Sequence, residues 1–253
     1  MNRLKKIKFI RQSLSRNKPS IGSWIQIPHS SVAEIMGKSG YDWVAVDMEH
    51  GSISPHQLPD IFRALELGGT LPLVRLAQGN PKDCKQALDA GSGGVIVPMV
   101  ESSDQLIAIR NECCWPPKGK RGVGFSRANL FGKEFDSYKQ EAQNPILIAM
   151  IENVLAVENL KKILTVQGLD AIFVGPYDLS ASMGLTADFE NPEFIKTIDK
   201  IRILCDQAKI PCGLHIVDPD IDFLKQKIKE GYLFLAYSID AVMLRNIANY
   251  EAD

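Results

Sequence analysis

The chain alternates short apolar runs, rich in β-branched residues, with longer segments of helical periodicity, and this alternation occurs eight times. Strands that alternate with helices in this way pair in parallel. Runs such as 94–97 and 171–174 are apolar at every position, which indicates a sheet that is covered on both faces. We therefore predict an α/β protein built as a single (β/α)8 TIM barrel, a fold that typically needs about 250 residues.

The main alternative to a barrel is an open, doubly wound sheet. That fold usually carries a glycine-rich turn directly after a strand, where backbone amides hold a phosphate. The densest glycines of this chain, within 91–94, come before a strand instead. Their position favours the closed barrel.

Residue type and periodicity predict the bounds of the elements. The expected strands are 20–27, 43–49, 71–76, 94–100, 146–152, 169–175, 212–217 and 233–239. The expected helices are 31–39, 55–67, 81–90, 103–113, 155–166, 192–209, 219–230 and 241–250. An extra amphipathic helix within residues 1–18 is expected to cap the bottom of the barrel, so that residues 1–253 form one domain. Its apolar face consists of Leu4, Ile7, Ile10 and Leu14.

The composition argues against nucleic-acid and membrane partners. A formal net charge of -1 with 23% charged residues provides no overall basic or acidic field. No run of the sequence approaches the ~18 apolar residues of a membrane span. The five cysteines form no zinc-binding pattern, and an unpatterned set of this kind fits a reducing cytoplasm. We expect a cytoplasmic protein that acts on small molecules.

The stretch from Val44 to Gly51 ends an apolar strand in two carboxylates and an imidazole, namely Asp47, Glu49 and His50. In TIM barrels the active site lies at the carboxyl ends of the strands. Charged side chains that crowd such an end indicate a bound ligand. The alternative is that they only cap the helix that follows.

Three further strand ends carry side chains suited to chemistry. Arg75 needs an anion, either a developing oxyanion or a neighbouring acid in a structural ion pair. Glu152 and Asp178 come from neighbouring strands, and converging carboxylates need a shared proton or a cation. Mg²⁺ or Mn²⁺ suits two carboxylates that leave positions to water and substrate, whereas helix capping is the alternative role. The last two strands end with His215, Asp218, Ser238 and Asp240.

Lysine is informative by its absence from all eight predicted strands. An enzyme that forms a Schiff base needs a desolvated lysine inside the barrel, so imine chemistry is disfavoured and metal stabilisation of an enolate is favoured. The seventh and eighth strands also lack the glycine-rich turns that commonly hold a substrate phosphate in this fold. A non-phosphorylated acid is therefore the expected substrate.

With these residues in place, the chain resembles the HpcH/HpaI aldolase family over roughly residues 21–245. These are metal-dependent aldolases that cleave 4-hydroxy-2-oxo acids to pyruvate and an aldehyde. The resemblance rests on the segments 47–51, 72–75, 87–91, 94–98, 121–124, 151–152 and 175–180.

The resemblance implies a role for each matched residue. His50 would be the general base, made more basic by Asp89, and Arg75 would stabilise developing charge. Glu152 and Asp178 would hold the divalent cation, Mg²⁺ or Mn²⁺, with Co²⁺ or Zn²⁺ as alternatives. Pyruvate would chelate the ion while backbone amides around positions 177 and 178 receive its carboxylate. The resemblance also implies a homo-oligomer, a hexamer in which neighbours exchange their final helix.

Two residues depart from the family pattern, in which Gln-Ile-Glu and Gly-Pro-Ala-Asp are usual. Met150 stands in place of the glutamine and Tyr177 in place of the alanine. We expect both to contribute to substrate binding: Met150 shares the strand face of Glu152 but lacks the amide, and Tyr177 contributes its backbone and shapes the rim. The aldehyde partner is not specified, because the 124–129 loop and this rim are variable surfaces.

Two other functions stay open from the residues alone. A related lyase or decarboxylase of a small 2-oxo or 2-hydroxy diacid would keep Glu152, Asp178 and Arg75 without needing His50 as a base. A catalytically degraded binding protein would need only the pocket for a small acid. The role of His50 therefore separates these alternatives from an aldolase.

Overall fold

The computed structural model describes residues 1–249, and its strands close into a parallel barrel in chain order. The closed barrel confirms the predicted TIM-barrel class and shows that the open-sheet alternative is wrong. The strands are β1 (Ser20–Ile25), β2 (Trp43–Asp47), β3 (Leu71–Arg75), β4 (Gly94–Val97), β5 (Ile146–Ile151), β6 (Ala171–Val174), β7 (Cys212–Ile216) and β8 (Phe234–Ile239).

Helices follow the strands and surround the barrel. Sequence periodicity did not identify the short helices at Phe135–Ala142 and Pro176–Ser182 or a 3-10 turn at Arg127–Gly132, because each of them lies in a segment that reads as a connection. The end of the predicted last helix, Tyr250, lies outside the described residues. The helices are α1 (Arg3–Ser15), α2 (Ser30–Lys38), α3 (Leu58–Gly68), α4 (Pro81–Asp89), α5 (Ser103–Cys113), α6 (Phe135–Ala142), α7 (Val154–Ile163), α8 (Pro176–Ser182), α9 (Pro192–Ala208), α10 (Ile221–Lys229) and α11 (Asp240–Ala248).

Several strands end earlier than predicted, and for β2 the structure shows the reason. The prediction continued β2 to Glu49, whereas the strand stops at Asp47. The Asp47 carboxylate accepts hydrogen bonds from the backbone N–H groups of Glu49 and His50, at 3.1 and 3.2 Å. An aspartate that bonds its own following backbone replaces ladder pairing with a turn. The predicted chemical residues therefore lie just beyond the strand.

Aromatic side chains fill the barrel interior, so that it is a packed core and not an open channel. Trp43 stacks on Phe234 with ring centroids 4.3 Å apart, and Phe173 packs edge-on against Trp24 at 5.9 Å. Gly22 leaves room for this stack, because a Cβ there would lie 2.1 Å from the Trp43 ring. The interior thus forms a solid floor beneath the carboxyl ends of the strands.

The predicted amino-terminal helix is present as α1. Ile7, Ile10 and Leu14 are buried against the residues that begin the strands. Arg11 fixes the helix by two hydrogen bonds of 2.6 and 2.8 Å to the carboxylate of Asp170. The helix covers the amino-terminal end of the barrel and leaves the carboxyl end open. Within residues 1–249, no helix has the length and apolar character needed to cross a membrane.

Candidate active site

The ends of β2 and β3 carry a buried ion pair. Asp47 and Arg75 are partners in the strand register. The guanidinium donates two hydrogen bonds to the carboxylate, from Nε to Oδ1 at 2.9 Å and from Nη2 to Oδ2 at 2.7 Å. Burial by itself would raise the pKa of Asp47, but the hydrogen bonds and charge of Arg75 hold that pKa below its ordinary value. The pair is therefore charged and fixed in orientation.

Two residues of β1 and its exit, which sequence reasoning did not identify, support this ion pair. The Arg75 guanidinium carbon lies 4.6 Å from the centre of the Trp24 ring, and Trp24 is only 2% exposed. Gln26 donates a hydrogen bond of 2.8 Å from Nε2 to Asp47 Oδ2. The sequence did offer one signal for this role, because the polar residue Gln26 directly follows β1. Together these contacts leave Arg75 little freedom to turn.

Glu49 and His50 stand at the mouth beside the ion pair. Glu49 Oε2 lies 3.2 Å from Arg75 Nη1 and 4.0 Å from His50 Nε2. Burial raises the pKa of Glu49, and the carboxylates of Asp47 and Asp178 add to the rise against the opposing charge of Arg75. The His50 side chain is 60% exposed. The imidazole can thus exchange protons with solvent and with a molecule bound in the mouth.

Glu152 follows β5 and is 2% exposed. The backbone N–H of Met99, in the loop after β4, donates a 2.7 Å hydrogen bond to Glu152 Oε2. Gly175 makes room for the side chain, because a Cβ there would lie 2.8 Å from Glu152 Cγ and Oε1. Burial raises the pKa of Glu152 to about 7, with the nearby carboxylates of Glu49 and Asp178 adding to the rise.

Asp178 lies in the first turn of α8 and is exposed. Its negative charge is near enough to raise the pKa of both Glu152 and Glu49. Mutual repulsion in a partly buried mouth is relieved by a cation, and the donor set of oxygens fits a hard divalent ion. No group of three or more His, Cys, Asp or Glu side chains within residues 1–249 is spaced to hold a metal by itself. Water or substrate oxygens would complete the coordination.

The two residues that depart from the family pattern occupy different environments. Met150 is 3% exposed and packs in the interior cluster that contains Trp24 and Phe173. It lies one step below Glu152 on the inner face, where it serves as packing; a role in reading the substrate stays a prediction. Tyr177 is 53% exposed at the rim, and its ring meets that of Phe189 edge-on at 5.0 Å.

Asp89 lies far from His50 within one chain. It ends α4, which runs back from the carboxyl end of the barrel to the amino-terminal end. Its carboxylate lies 3.4 Å from Arg121 Nη1. The 124–129 segment, between α5 and β5, lies at this same end, where Arg127 donates a 2.8 Å hydrogen bond to the Ala90 carbonyl. The expected support of His50 by Asp89 is therefore not met inside a single chain, and the 124–129 loop is not part of this chain's own rim.

Comparison with known proteins decides the family. A model of the family described as HpcH/HpaI aldolase/citrate lyase matches residues 20–247. This chain belongs to the HpcH/HpaI family. The resemblance seen in the sequence is thereby confirmed, and the protein is an enzyme of the carbon–carbon lyase class.

Relatives in the HpcH/HpaI family agree over nearly the whole chain. The hydroxypyruvate/pyruvate aldolase of Roseobacter denitrificans is 35% identical, with 93% of this chain and 92% of that protein covered. The 2-keto-3-deoxy-L-rhamnonate aldolase of Klebsiella pneumoniae is 33% identical, with 96% and 93% covered. A crystal structure of an HpcH/HpaI aldolase/citrate lyase family protein from Burkholderia cenocepacia matches with a TM-score of 0.88 and 29% identity, covering 94% of this chain and 95% of that one.

The HpcH/HpaI match begins at β1 and ends within α11. Every strand end of the candidate site therefore lies inside the matched region, whereas α1 precedes it.

Proposed function

We propose that the protein is a metal-dependent aldolase that cleaves and forms 4-hydroxy-2-oxo acids, with pyruvate and an aldehyde as the products of cleavage. The observation that carries this proposal is a buried carboxylate, Glu152, with Asp178 near enough to raise its pKa, at the same barrel mouth as the Asp47–Arg75 ion pair. The aldolase names of relatives at 35% and 33% identity support it.

Glu152 and Asp178 hold the divalent cation, for which Mg²⁺ and Mn²⁺ fit the oxygen donors best. When bound there, the cation supplies Lewis-acid stabilisation of the negative charge that develops on the keto oxygen of pyruvate. Met99 fixes one Glu152 oxygen through its backbone N–H, so the carboxylate is held before any ligand arrives. Gly175 keeps the space beside this carboxylate free.

Arg75 and His50 perform the remaining steps. Asp47 and Trp24 hold the Arg75 guanidinium in one orientation, so its charge is already in place where an oxyanion develops. His50, exposed at the mouth, moves a proton to and from C3 of pyruvate. A neutral imidazole is suited to proton transfer near pH 7.

The proposal includes a homo-oligomer, hexameric by family resemblance. Asp89 can support His50 only from a second copy, because one chain keeps the two residues at opposite ends of the barrel. The test mixes His50→Ala with Asp89→Ala subunits after mild dissociation. Mixed oligomers would contain sites with both residues intact and should regain part of the activity lost in each variant. If the mixture stays as inactive as its components although subunits have exchanged, Asp89 does not act on His50.

A cytoplasmic location belongs to the same proposal, supported by five cysteines that are all free and buried.

The function is tested by assaying pyruvate release from a panel of 4-hydroxy-2-oxo acids. Wild type should release pyruvate with Mg²⁺ or Mn²⁺, and Glu152→Gln and Asp178→Asn should each lose most of this activity. Oxaloacetate forms a separate arm, because its decarboxylation needs no base at His50. Turnover of oxaloacetate without any aldol cleavage would replace the aldolase assignment by the decarboxylase alternative.

A further inference from the structure

His215 is a side chain at the floor of the mouth that the proposed chemistry does not use. It lies in β7, where its ring packs against Trp24 at 5.5 Å and Phe173 at 6.5 Å between centroids. Both neighbours belong to the interior cluster, so the imidazole projects into the barrel rather than toward the helices. A polar ring in this otherwise apolar layer needs an explanation.

The hydrogen bonding of His215 leaves one ring nitrogen as a free acceptor. Nε2 lies 3.3 Å from the backbone carbonyl of Ser238, and because a carbonyl only accepts, Nε2 carries the proton. Burial lowers the pKa of His215 to about 4, and the charge of Arg75 adds to this effect. The ring is therefore neutral at physiological pH and its Nδ1 has a bare lone pair. Nδ1 makes no hydrogen bond within the part of the chain that the structure describes.

A second polar atom beside His215 is also left without a partner. The Ser238 side chain is fully buried, and its Oγ makes no hydrogen bond to any described residue. Ser238 has a positive φ of 57°, a left-handed conformation that is costly for a residue with a Cβ. Its carbonyl accepts from Ser23 Oγ at 3.2 Å as well as from His215. The imidazole is thus held in one orientation, next to a Ser238 hydroxyl group that has no hydrogen-bond partner among the described residues.

The strand register places His215 level with the proposed cation ligand Glu152. Ile151 pairs with Val174, and Val174 pairs with Leu214. One step further, Glu152, Gly175 and His215 lie side by side on three neighbouring strands, which separates the outer two by about 10 Å of backbone. Gly175 has no side chain to stand between them. A small acid held at Glu152 therefore lies within reach of the imidazole.

We propose that His215 is a specificity residue whose Nδ1 accepts a hydrogen bond from a hydroxyl group on C3 of a bound 3-hydroxy-2-oxo acid, and that this bond sets the preference of the enzyme for such a nucleophile over pyruvate. The proposal rests on the aldolase function above. The depth of His215 favours the nucleophile over the aldehyde, because the residue lies in a strand beside Glu152, whereas an aldehyde enters from the solvent side of the mouth.

The test compares hydroxypyruvate with pyruvate as nucleophile, using propanal as a common acceptor that carries no hydroxyl. His215→Leu removes the acceptor at similar size, and His215→Asn places an amide oxygen near the position of Nδ1. In His215→Leu the ratio of kcat/KM for hydroxypyruvate over pyruvate should fall by about 10-fold, the value of one lost hydrogen bond. His215→Asn should recover most of that ratio.

Calorimetric titration of the Mn²⁺-loaded protein supplies a readout without turnover. The Kd of hydroxypyruvate should rise about 10-fold in His215→Leu while that of pyruvate changes little, since only the hydroxylated acid loses a hydrogen bond. If the leucine variant does not fold, His215→Gln replaces it, because its longer side chain carries the amide to the position of Nε2 and leaves no acceptor at Nδ1.

The proposal is overturned if His215→Leu leaves both ratios unchanged, if wild type turns over pyruvate but neither binds nor uses hydroxypyruvate, or if the variant discriminates only among hydroxylated aldehydes. Failure of wild type to turn over any 2-oxo acid would instead contradict the aldolase function. The calorimetric ratio would still decide the role of His215.

Discussion

Both carboxylate oxygens of Asp47 bind the guanidinium of Arg75, at 2.9 and 2.7 Å, while the face of that guanidinium lies over the indole of Trp24. Asp47 is 1% exposed, so this is a desolvated pair and not a surface salt bridge. The same carboxylate accepts the backbone N–H groups of Glu49 and His50. One residue therefore orients the arginine and shapes the turn that carries the proposed base.

Replacing Asp47 by Asn should impair both stability and catalysis. The amide cannot accept two charged hydrogen bonds, and a misplaced Arg75 should lower kcat by up to about 100-fold. The loss of unfolding free energy in urea should be on the order of 1 to 3 kcal/mol at neutral pH. Because the folded-state pKa of Asp47 is lowered, this advantage of wild type is present above the ordinary carboxyl pKa and disappears as the pH falls through the folded value. Asp42→Asn, at the other end of the barrel, is the control and should retain full kcat.

His50→Ala should slow the exchange of pyruvate methyl protons with D₂O by roughly 100-fold or more, the usual contribution of a positioned base. Proton NMR of the methyl signal measures this exchange directly, and pyruvate binding should persist. His56→Ala is a matched control, because His56 is also exposed and its Nδ1 lies 2.8 Å from the Ser54 hydroxyl oxygen. Unchanged exchange in His50→Ala would assign the base to another residue.

The sequence predicted those site residues whose positions follow from the local strand pattern, and it missed those whose roles depend on contacts between distant segments. Asp47, Arg75 and Glu152 were identified because a charged residue that ends an apolar barrel strand must face the mouth. Trp24 and the Met99 amide were missed, because their roles depend on cross-strand contact and on a left-handed loop residue with φ of 49°.

Asp89 shows the opposite limit. Family resemblance implied that Asp89 makes His50 more basic, yet within one chain Asp89 ends a helix that must return to the start of the next strand. The direction of that helix alone places it at the far end. The end of β2 was overestimated because the Asp47 side chain bonds the backbone that follows it.

Protonation of Glu152 should compete with cation binding. Its folded-state pKa of about 7 exceeds the ordinary 4.5, so metal-free wild type loses stability as the pH rises through this interval. Between about pH 5 and 8, Glu152→Gln should gain roughly 2 to 3 kcal/mol of unfolding free energy relative to wild type, from the shift between the two pKa values. Denaturant titrations at both pH values measure this gain. Glu158→Gln, an exposed control on α7, should follow wild type.

Cation affinity gives the same prediction with a second readout. Mn²⁺ should bind wild type more tightly at pH 8 than at pH 6, because the proton leaves Glu152 over this range. If the unfolding free energies of wild type and Glu152→Gln change in parallel with pH, Glu152 is not the titrating group.

Met150→Gln tests whether the side chain at position 150, which departs from the family motif, contributes to substrate preference. The side chain is 3% exposed in an apolar cluster, so an amide there should destabilise the fold by about 1 to 3 kcal/mol. If Met150 also borders the substrate, the variant should raise kcat/KM for a hydroxylated aldehyde over an aliphatic one by up to about 10-fold. Equal ratios in variant and wild type would restrict Met150 to packing.

The central claim is that charge develops beside a cation held by Glu152 and Asp178 and not on a lysine imine. Exhaustive chelation followed by assay of aldol cleavage tests this claim most directly, with sodium borohydride and pyruvate added to a parallel sample for mass spectrometry. We predict that chelation abolishes cleavage, that Mn²⁺ or Mg²⁺ restores it, and that borohydride traps no adduct. Full activity in the chelated enzyme, or a reduced pyruvate adduct on a lysine, would contradict the account.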